Sequence, residues 1–196
     1  MPLPGKQAQM KMAPKADLRD RMEIPPGIKH NGVLILLHKT TVGLSLLYTL
    51  RSDYLAAHRG QICFPGGGAE HHETLLETAA RELREEVGIN VSADNVLGGL
   101  TSLYVPPSGN IIHPFVAYLE KLPDITLQQE EVSEAFGVSI DRLANHDNLK
   151  NETWSINEKP YNVPFWDIHR IPLWGATAMI TSELLTLYEE FLKHPT

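Results

Sequence analysis

Residues 32–38 (GVLILLH) form a nearly continuous apolar run of strand length. A second run, 45–50, follows a turn around 41–43, and a third, short one at 62–64 stops at the PGGG of residues 65–68. The period then changes. Leu76, Ala79, Ala80, Leu83 and Val87 recur at helical spacing. Thr74, with Glu77 three residues on, reads as a capping box, and Gly88 as the residue just past the helix end. These signals predict a helix over 75–87. Strand-like runs return at 96–103, 111–119 and 132–140, the first two separated by a Pro-Pro-Ser-Gly loop at 106–109. Residues 154–156 and 161–165 suggest a hairpin. Residues 176–192 read as a closing amphipathic helix, with Gly175 before it. Strands, helix, strands, helix predicts an α/β protein: a mixed central β-sheet sandwiched between α-helices.

The first 25 residues lack this regularity. Pro2, Pro4, Pro14 and Pro25, scattered charge and no sustained apolar period predict an N-terminal tail, or alternatively a docked arm or a short helix around 17–22. Residues 26–196 are expected to be one domain, which suits a chain of 196 residues.

Composition acts mainly by exclusion. A net charge of −7 argues against loose electrostatic binding to nucleic acid or an anionic membrane. It leaves room for a phosphorylated substrate, because a bound divalent metal inverts the local field. Cys63 is the lone cysteine, which removes internal disulfides and cysteine-based zinc clusters and suits a reducing compartment. There is no signal-like or membrane-spanning apolar stretch, and His194, Pro195 and Thr196 match no common C-terminal address. The cytoplasm is the expected location, and homodimerisation is left open.

The chemistry concentrates on the predicted first helix. Glu82, Glu85 and Glu86 sit at i, i+3 and i+4, so all three project from one face. Three crowded carboxylates repel one another. A hard cation with oxygen ligands, Mg²⁺ or Mn²⁺, relieves that repulsion. The alternative is a solvated acidic face. His71 and His72 are expected to be solvent-exposed loop residues, since hard cations prefer oxygen. Trp154, Trp166 and Trp174 are expected in the core or an interface.

Gly67, Glu73, Arg81, Glu82, Leu83, Glu85, Glu86, Gly88 and Ile89 satisfy every fixed position of G-x5-E-x7-R-E-U-x-E-E-x-G-U, where U is a bulky aliphatic residue. The segment resembles the Nudix box, and the chain is identified on it as similar to the Nudix hydrolases. The resemblance implies the Nudix fold and hydrolysis of a diphosphate bond in a nucleotide-like small molecule. It also implies metal ligands at Glu82, Glu85 and Glu86, with a backbone carbonyl from Gly66 or Gly67. Glu73 and Arg81 would be a structural ion pair that braces the box. Cations there would neutralise the diphosphate and activate a water, whose proton a carboxylate takes. The base varies in this family between a box Glu and one from a later loop. Glu130 and Glu131 are the downstream candidates, Glu131 the favoured one.

The segment upstream resembles the extra signature of the coenzyme A pyrophosphatase branch, L-L-T-x-R-[SA]-x3-R-x3-G-x3-F-P-G-G. Arg51, Ser52, Gly60 and residues 64–67 match. Tyr48 replaces a leucine, and Ala56 replaces the second arginine, which removes a side chain able to hold phosphate by paired charge-assisted bonds. The closing Trp174-Gly175-Ala176-Thr177-Ala178 is similar to this branch too. The resemblance implies cleavage of CoA or acyl-CoA to (acyl-)4′-phosphopantetheine and adenosine 3′,5′-bisphosphate. Arg51, Ser52 and His58 are the substrate-binding candidates. The alternatives are a Nudix enzyme for ADP-ribose, nucleoside diphosphate sugars or dinucleoside polyphosphates, and a non-catalytic Nudix-fold nucleotide-binding module.

Overall fold

The computed structural model of the chain describes residues 2–16, 27–54 and 59–193. The long apolar runs become β2 (Lys29–Thr40) and β3 (Gly43–Arg51), an antiparallel pair. β4 (Ile62–Cys63) lies along β3, and β5 (Gly66–Gly68) along β2. After α2 (Leu75–Val87) come β6 (Val96–Gly99), β7 (Leu103–Val105), β8 (Asn110–Leu119) and β9 (Val132–Ser139). The sheet runs β4-β3-β2-β8-β6, with β5 on β2, β7 on β8 and β9 on β3. The β2–β8 pair is parallel and the others antiparallel, so the sheet is mixed.

Both faces of this sheet are covered, which is why β2 and β3 read as continuous apolar runs. Leu34, Leu36 and Leu47 pack against Ala79, Leu83 and Val87 of α2. The alternating residues Ile35, Leu37, Leu46 and Tyr48 face the other way, into a core shared with Ala178, Ile180, Leu184 and Leu185. Those four belong to the closing helix, Gly175–Lys193. The expected α/β/α sandwich is therefore present, and α2 has the predicted bounds. Thr74 and Glu77 form the capping box, and Gly88 ends the helix in the left-handed conformation, φ 75°.

The structure differs from the sequence expectation in three places. The single run at 96–103 is two strands on β8, because the register shifts between Val96 and Gly98 and residues 100–102 separate the two pairings. The PGGG segment is not all loop, since Gly66–Gly68 pairs with residues 31–33. The short hairpin is a longer one, β10 (Leu149–Ile156) with β11 (Lys159–Trp166), in a separate three-stranded sheet completed by β1 (Lys15–Ala16). Asn157 and Glu158 at its tip have φ of 50° and 65°, which matches a two-residue turn of the primed type.

The N-terminal segment is docked over part of its length. Gly5–Gln9 forms α1 and Met10–Met12 a single 3₁₀ turn, with Ala8, Gln9, Met12 and Ala13 buried. Glu183 of the closing helix is fully buried and accepts from Gly5 N (3.1 Å), Gln9 Nε2 (2.8 Å) and Thr101 N (3.2 Å). The helix considered around 17–22 lies outside the described residues.

Candidate functional site

Close packing at two glycines sets the site. A Cβ at Gly32 would overlap the Leu75 carbonyl, so only glycine lets α2 sit this near β2. A Cβ at Gly67 would overlap the Glu82 carboxylate. The first two turns of α2 are thereby pressed onto the glycine strand, and the helix presents Glu82 and Glu86 beside it.

A third carboxylate arrives from far along the chain. After β8 the backbone runs along the C-terminal end of α2, where Thr126 N–H donates to the Val87 carbonyl and Gln128 N–H to that of Glu86, both at 3.0 Å. These bonds satisfy two carbonyls left free at the helix end. The chain then turns, Glu131 N–H donating to Gln128 O (2.9 Å), and Ser52 N–H holds the Glu131 carbonyl at 2.8 Å. One carboxylate oxygen from each of Glu82, Glu86 and Glu131 lies within 4.8 Å of the other two.

The electrostatics suit a hard divalent cation. Burial pushes the Glu86 carboxyl up to about 8; the Gly66 N–H, 3.4 Å from Oε1, and nearby Arg51 oppose the shift, while Glu82 and Glu131 add to it. Glu86 Oε2 is buried with no hydrogen-bond partner among the described residues. Burial also raises Glu82, against the pull of Arg81. A buried carboxylate oxygen without a donor, facing two more carboxylates, fits a hard divalent ion with oxygen ligands.

Arg81 organises the rim. Its Nε donates to Glu73 Oε1 (2.8 Å) and its Nη2 to Glu73 Oε2 (3.3 Å) and Gly68 O (3.2 Å). This fork holds the Glu73 carboxyl down to about 2, helped by the Glu70 N–H. Arg81 Nη1 also reaches Glu82 (2.9 Å) and Glu85 (2.7 Å). Glu85 is half-exposed, engaged by Arg81 and within 3.7 Å of Arg84, and stands outside the three-carboxylate group.

The upstream candidates divide. Arg51 is half-buried, with its Nε buried and unpartnered among the described residues, and it lies beside Cys63 and Glu86. Ser52 is buried, and its backbone N–H makes the link to the Glu131 segment. His58, like Ala56, lies outside the described residues. Cys63 shares the Arg51 environment; burial, then the Glu86 charge, pushes its thiol up to about 11, which makes it a poor nucleophile. His71, His72 and Glu130 are exposed. Trp166 is buried, its Nε1 donating to Leu143 O, and Trp154 packs on Phe165 and Trp174.

Two polar groups gave no sequence signal. Glu183 sits in a helix that reads only as amphipathic. Glu134 on β9 pairs with Arg170 at 2.6 Å and His169 at 3.3 Å, and His169 stacks on Phe136 with ring centroids 4.4 Å apart. His169 and Arg170 are adjacent in sequence but far from Glu134, so only the folded chain reveals the group.

The NUDIX domain family matches residues 28–159. The chain is 33% identical to the peroxisomal coenzyme A diphosphatase ndx-8 of Caenorhabditis elegans, over 84% of the chain and 70% of that protein. It is 34% identical to the human mitochondrial coenzyme A diphosphatase NUDT8, over 73% of the chain and 62% of that protein. It is 30% identical to Nudix hydrolase 3 of Caenorhabditis elegans, over 73% of the chain and 66% of that protein. The chain thus spans about two thirds of the length of these curated relatives. Among solved structures it is similar to the NUDIX domain of Shewanella oneidensis NrtR complexed with ADP ribose (TM-score 0.59, 12% identity, 87% of the chain and 94% of that one). It is also similar to a MutT/nudix family protein from Enterococcus faecalis (TM-score 0.57, 15% identity, 89% and 66%). At those identities the structures speak for the fold alone. Family match, relatives and fold agree: the chain belongs to the Nudix family of pyrophosphohydrolases.

Proposed function

We propose that this chain hydrolyses a diphosphate bond in CoA or an acyl-CoA, using Mg²⁺ or Mn²⁺ held by Glu82, Glu86 and Glu131, with Glu85 at the rim. The observation that carries the reading is the three-carboxylate group, with one oxygen buried and unpartnered. A bound divalent cation supplies charge neutralisation of the diphosphate and a more acidic water. The chain's own residues do the rest. Gly66 N–H orients Glu86. Glu131, exposed at the edge of the group, offers one oxygen to the ion and takes the water's proton on the other. Arg81, tied to Glu73, steadies the loop and Glu82. Arg51 brings the nearby positive charge and is the candidate contact for a substrate phosphate.

The CoA reading rests on the upstream signature together with two relatives named coenzyme A diphosphatases. No helix of the described residues is long and apolar enough to cross a membrane. The cytoplasm remains the proposed compartment, although the names of those two relatives specify peroxisome and mitochondrion. The test is a product assay on CoA, acyl-CoA, 3′-dephospho-CoA, ADP-ribose and dinucleoside polyphosphates, with Mg²⁺ and with Mn²⁺. The proposal expects CoA or acyl-CoA to give the highest kcat/KM, with a KM that Ala56→Arg lowers. ADP-ribose ahead by about tenfold, a gap of roughly 1.4 kcal/mol, would overturn the substrate and leave the hydrolase. Tight nucleotide binding with no cleavage in the whole panel would make the chain a binding module.

A further inference from the structure

A nucleotide whose diphosphate lies over Glu82, Glu86 and Glu131 carries its base away from them, toward an element beside the site. The loop after β3 is fixed to this site at its start. Ser52 is buried and its N–H donates to the Glu131 carbonyl at 2.8 Å. Arg51 closes the loop's base, its carbonyl accepting from Gly60 N (3.1 Å) and its N–H donating to Gln61 O (3.0 Å). Two residues on, Tyr54 N–H donates to Ser52 Oγ at 3.4 Å. Two residues reach at most about 7 Å, so the Tyr54 backbone stays beside the segment that carries Glu131.

The Tyr54 side chain itself is open to solvent, at 91% exposure. Among the described residues the other exposed large aromatic is Phe191, at 51%. Phe191 lies about 21 Å along the closing helix from Thr177, whose hydroxyl contacts the Ile62 carbonyl of β4. A tyrosine ring gains nothing from this exposure within the chain, since its apolar faces are left in water. A ring in that state, two residues from the backbone link to the segment that carries Glu131, is suited to receive a flat heterocycle.

We propose that Tyr54 is the stacking platform for the base of the nucleotide substrate, a specificity residue for the nucleoside half of the molecule. The proposal rests on the reading of Glu82, Glu86 and Glu131 as the diphosphate site. Stacking accepts any π-face, so Tyr54 favours nucleotides over base-free diphosphates while discriminating little between purines.

The test is calorimetric titration of the full chain, as wild type, Tyr54→Ala and Tyr54→Phe, with ADP and with inorganic diphosphate, each with Mn²⁺ saturating. Tyr54→Ala weakens ADP by roughly 5–150-fold, corresponding to ~1–3 kcal/mol for a stacked base, and leaves inorganic diphosphate unchanged. Tyr54→Phe, which keeps the ring, binds ADP like wild type. Undiminished ADP binding by Tyr54→Ala overturns the proposal and leaves the diphosphate site intact. A parallel loss of ADP and inorganic diphosphate also overturns it, because that reports loop damage. If wild type itself binds neither ligand, the diphosphate site fails and the proposal falls with it.

Discussion

Gln9→Ala tests whether the N-terminal arm is built into the fold. Gln9 is 1% exposed, and its Nε2 donates both to Glu183 Oε2 at 2.8 Å and to the Thr101 carbonyl at 2.7 Å. Glu183 is fully buried, so water cannot replace the lost donor without opening the joint between α1 and the closing helix. A hydrogen bond to a charged group contributes about 1.5–3 kcal/mol, and an orphaned buried acceptor costs a similar amount. For a domain of this size each kcal/mol moves the Tm by about 2–4 °C, so a fall of roughly 3–12 °C is expected. Thermal melting of wild type, Gln9→Ala and Gln7→Ala measures it. Gln7 is exposed on the same short helix and serves as the control. Specific activity at 25 °C should be unchanged, since the closing helix packs on the sheet face opposite α2. If Gln9→Ala melts within about 1 °C of the Gln7→Ala control, the arm is an accessory and the argument from the buried Glu183 is wrong.

Other outcomes follow from the site. Arg81→Ala should lower the Tm and reduce activity together, because the same guanidinium holds Glu73, Gly68, Glu82 and Glu85. A wild-type melting curve with total loss of activity would instead make Arg81 a direct participant in the chemistry. Glu86→Gln should lose at least about 10²-fold in kcat at saturating Mg²⁺ while remaining folded; near-wild-type turnover would remove Glu86 from the mechanism. Glu86 also predicts a pH effect in metal-free protein. Its folded value of about 8 lies above the unfolded 4.5, so the folded state binds the extra proton between those limits. Its contribution therefore becomes less favourable as pH rises from about 4.5 through 8. In EDTA, wild type should lose more Tm than Glu86→Gln between pH 6 and 8.5, and identical pH profiles would show that burial does not hold the proton on Glu86.

Much of this was legible in the sequence, for physical reasons. The caps and period of α2 are local, so Thr74, Glu77, Gly88 and the apolar stripe set the helix to the residue. The Nudix box is also local, and its spacing puts Glu82 and Glu86 on one face. What sequence could not show is which distant groups meet that face. Glu131 was one of two adjacent candidates. It is distinguished from Glu130 by the local turn closed at Gln128 and by the Ser52 N–H on its carbonyl, and the second is a long-range consequence of folding. Glu85 looks like Glu82 in sequence and Arg81 reaches both, yet Glu82 is largely buried beside Glu86 while Glu85 is half-exposed at the rim. The N-terminal arm read as irregular because its ordering comes from Glu183, at the opposite end of the chain. The polar first half of β10 carries no alternation, since its residues are exposed and its order comes from pairing with β11.

The proposed role of Glu131, joining Glu82 and Glu86 to hold the divalent ion, is the most direct point to test. Mn²⁺ titration followed by electron paramagnetic resonance, on wild type, Glu131→Gln and Glu130→Gln, tests it without depending on the substrate. The account predicts that Glu131→Gln weakens Mn²⁺ by about tenfold or more, at least roughly 1.4 kcal/mol, while Glu130→Gln binds like wild type. Wild-type Mn²⁺ affinity in Glu131→Gln, or equal losses in both variants, would contradict it.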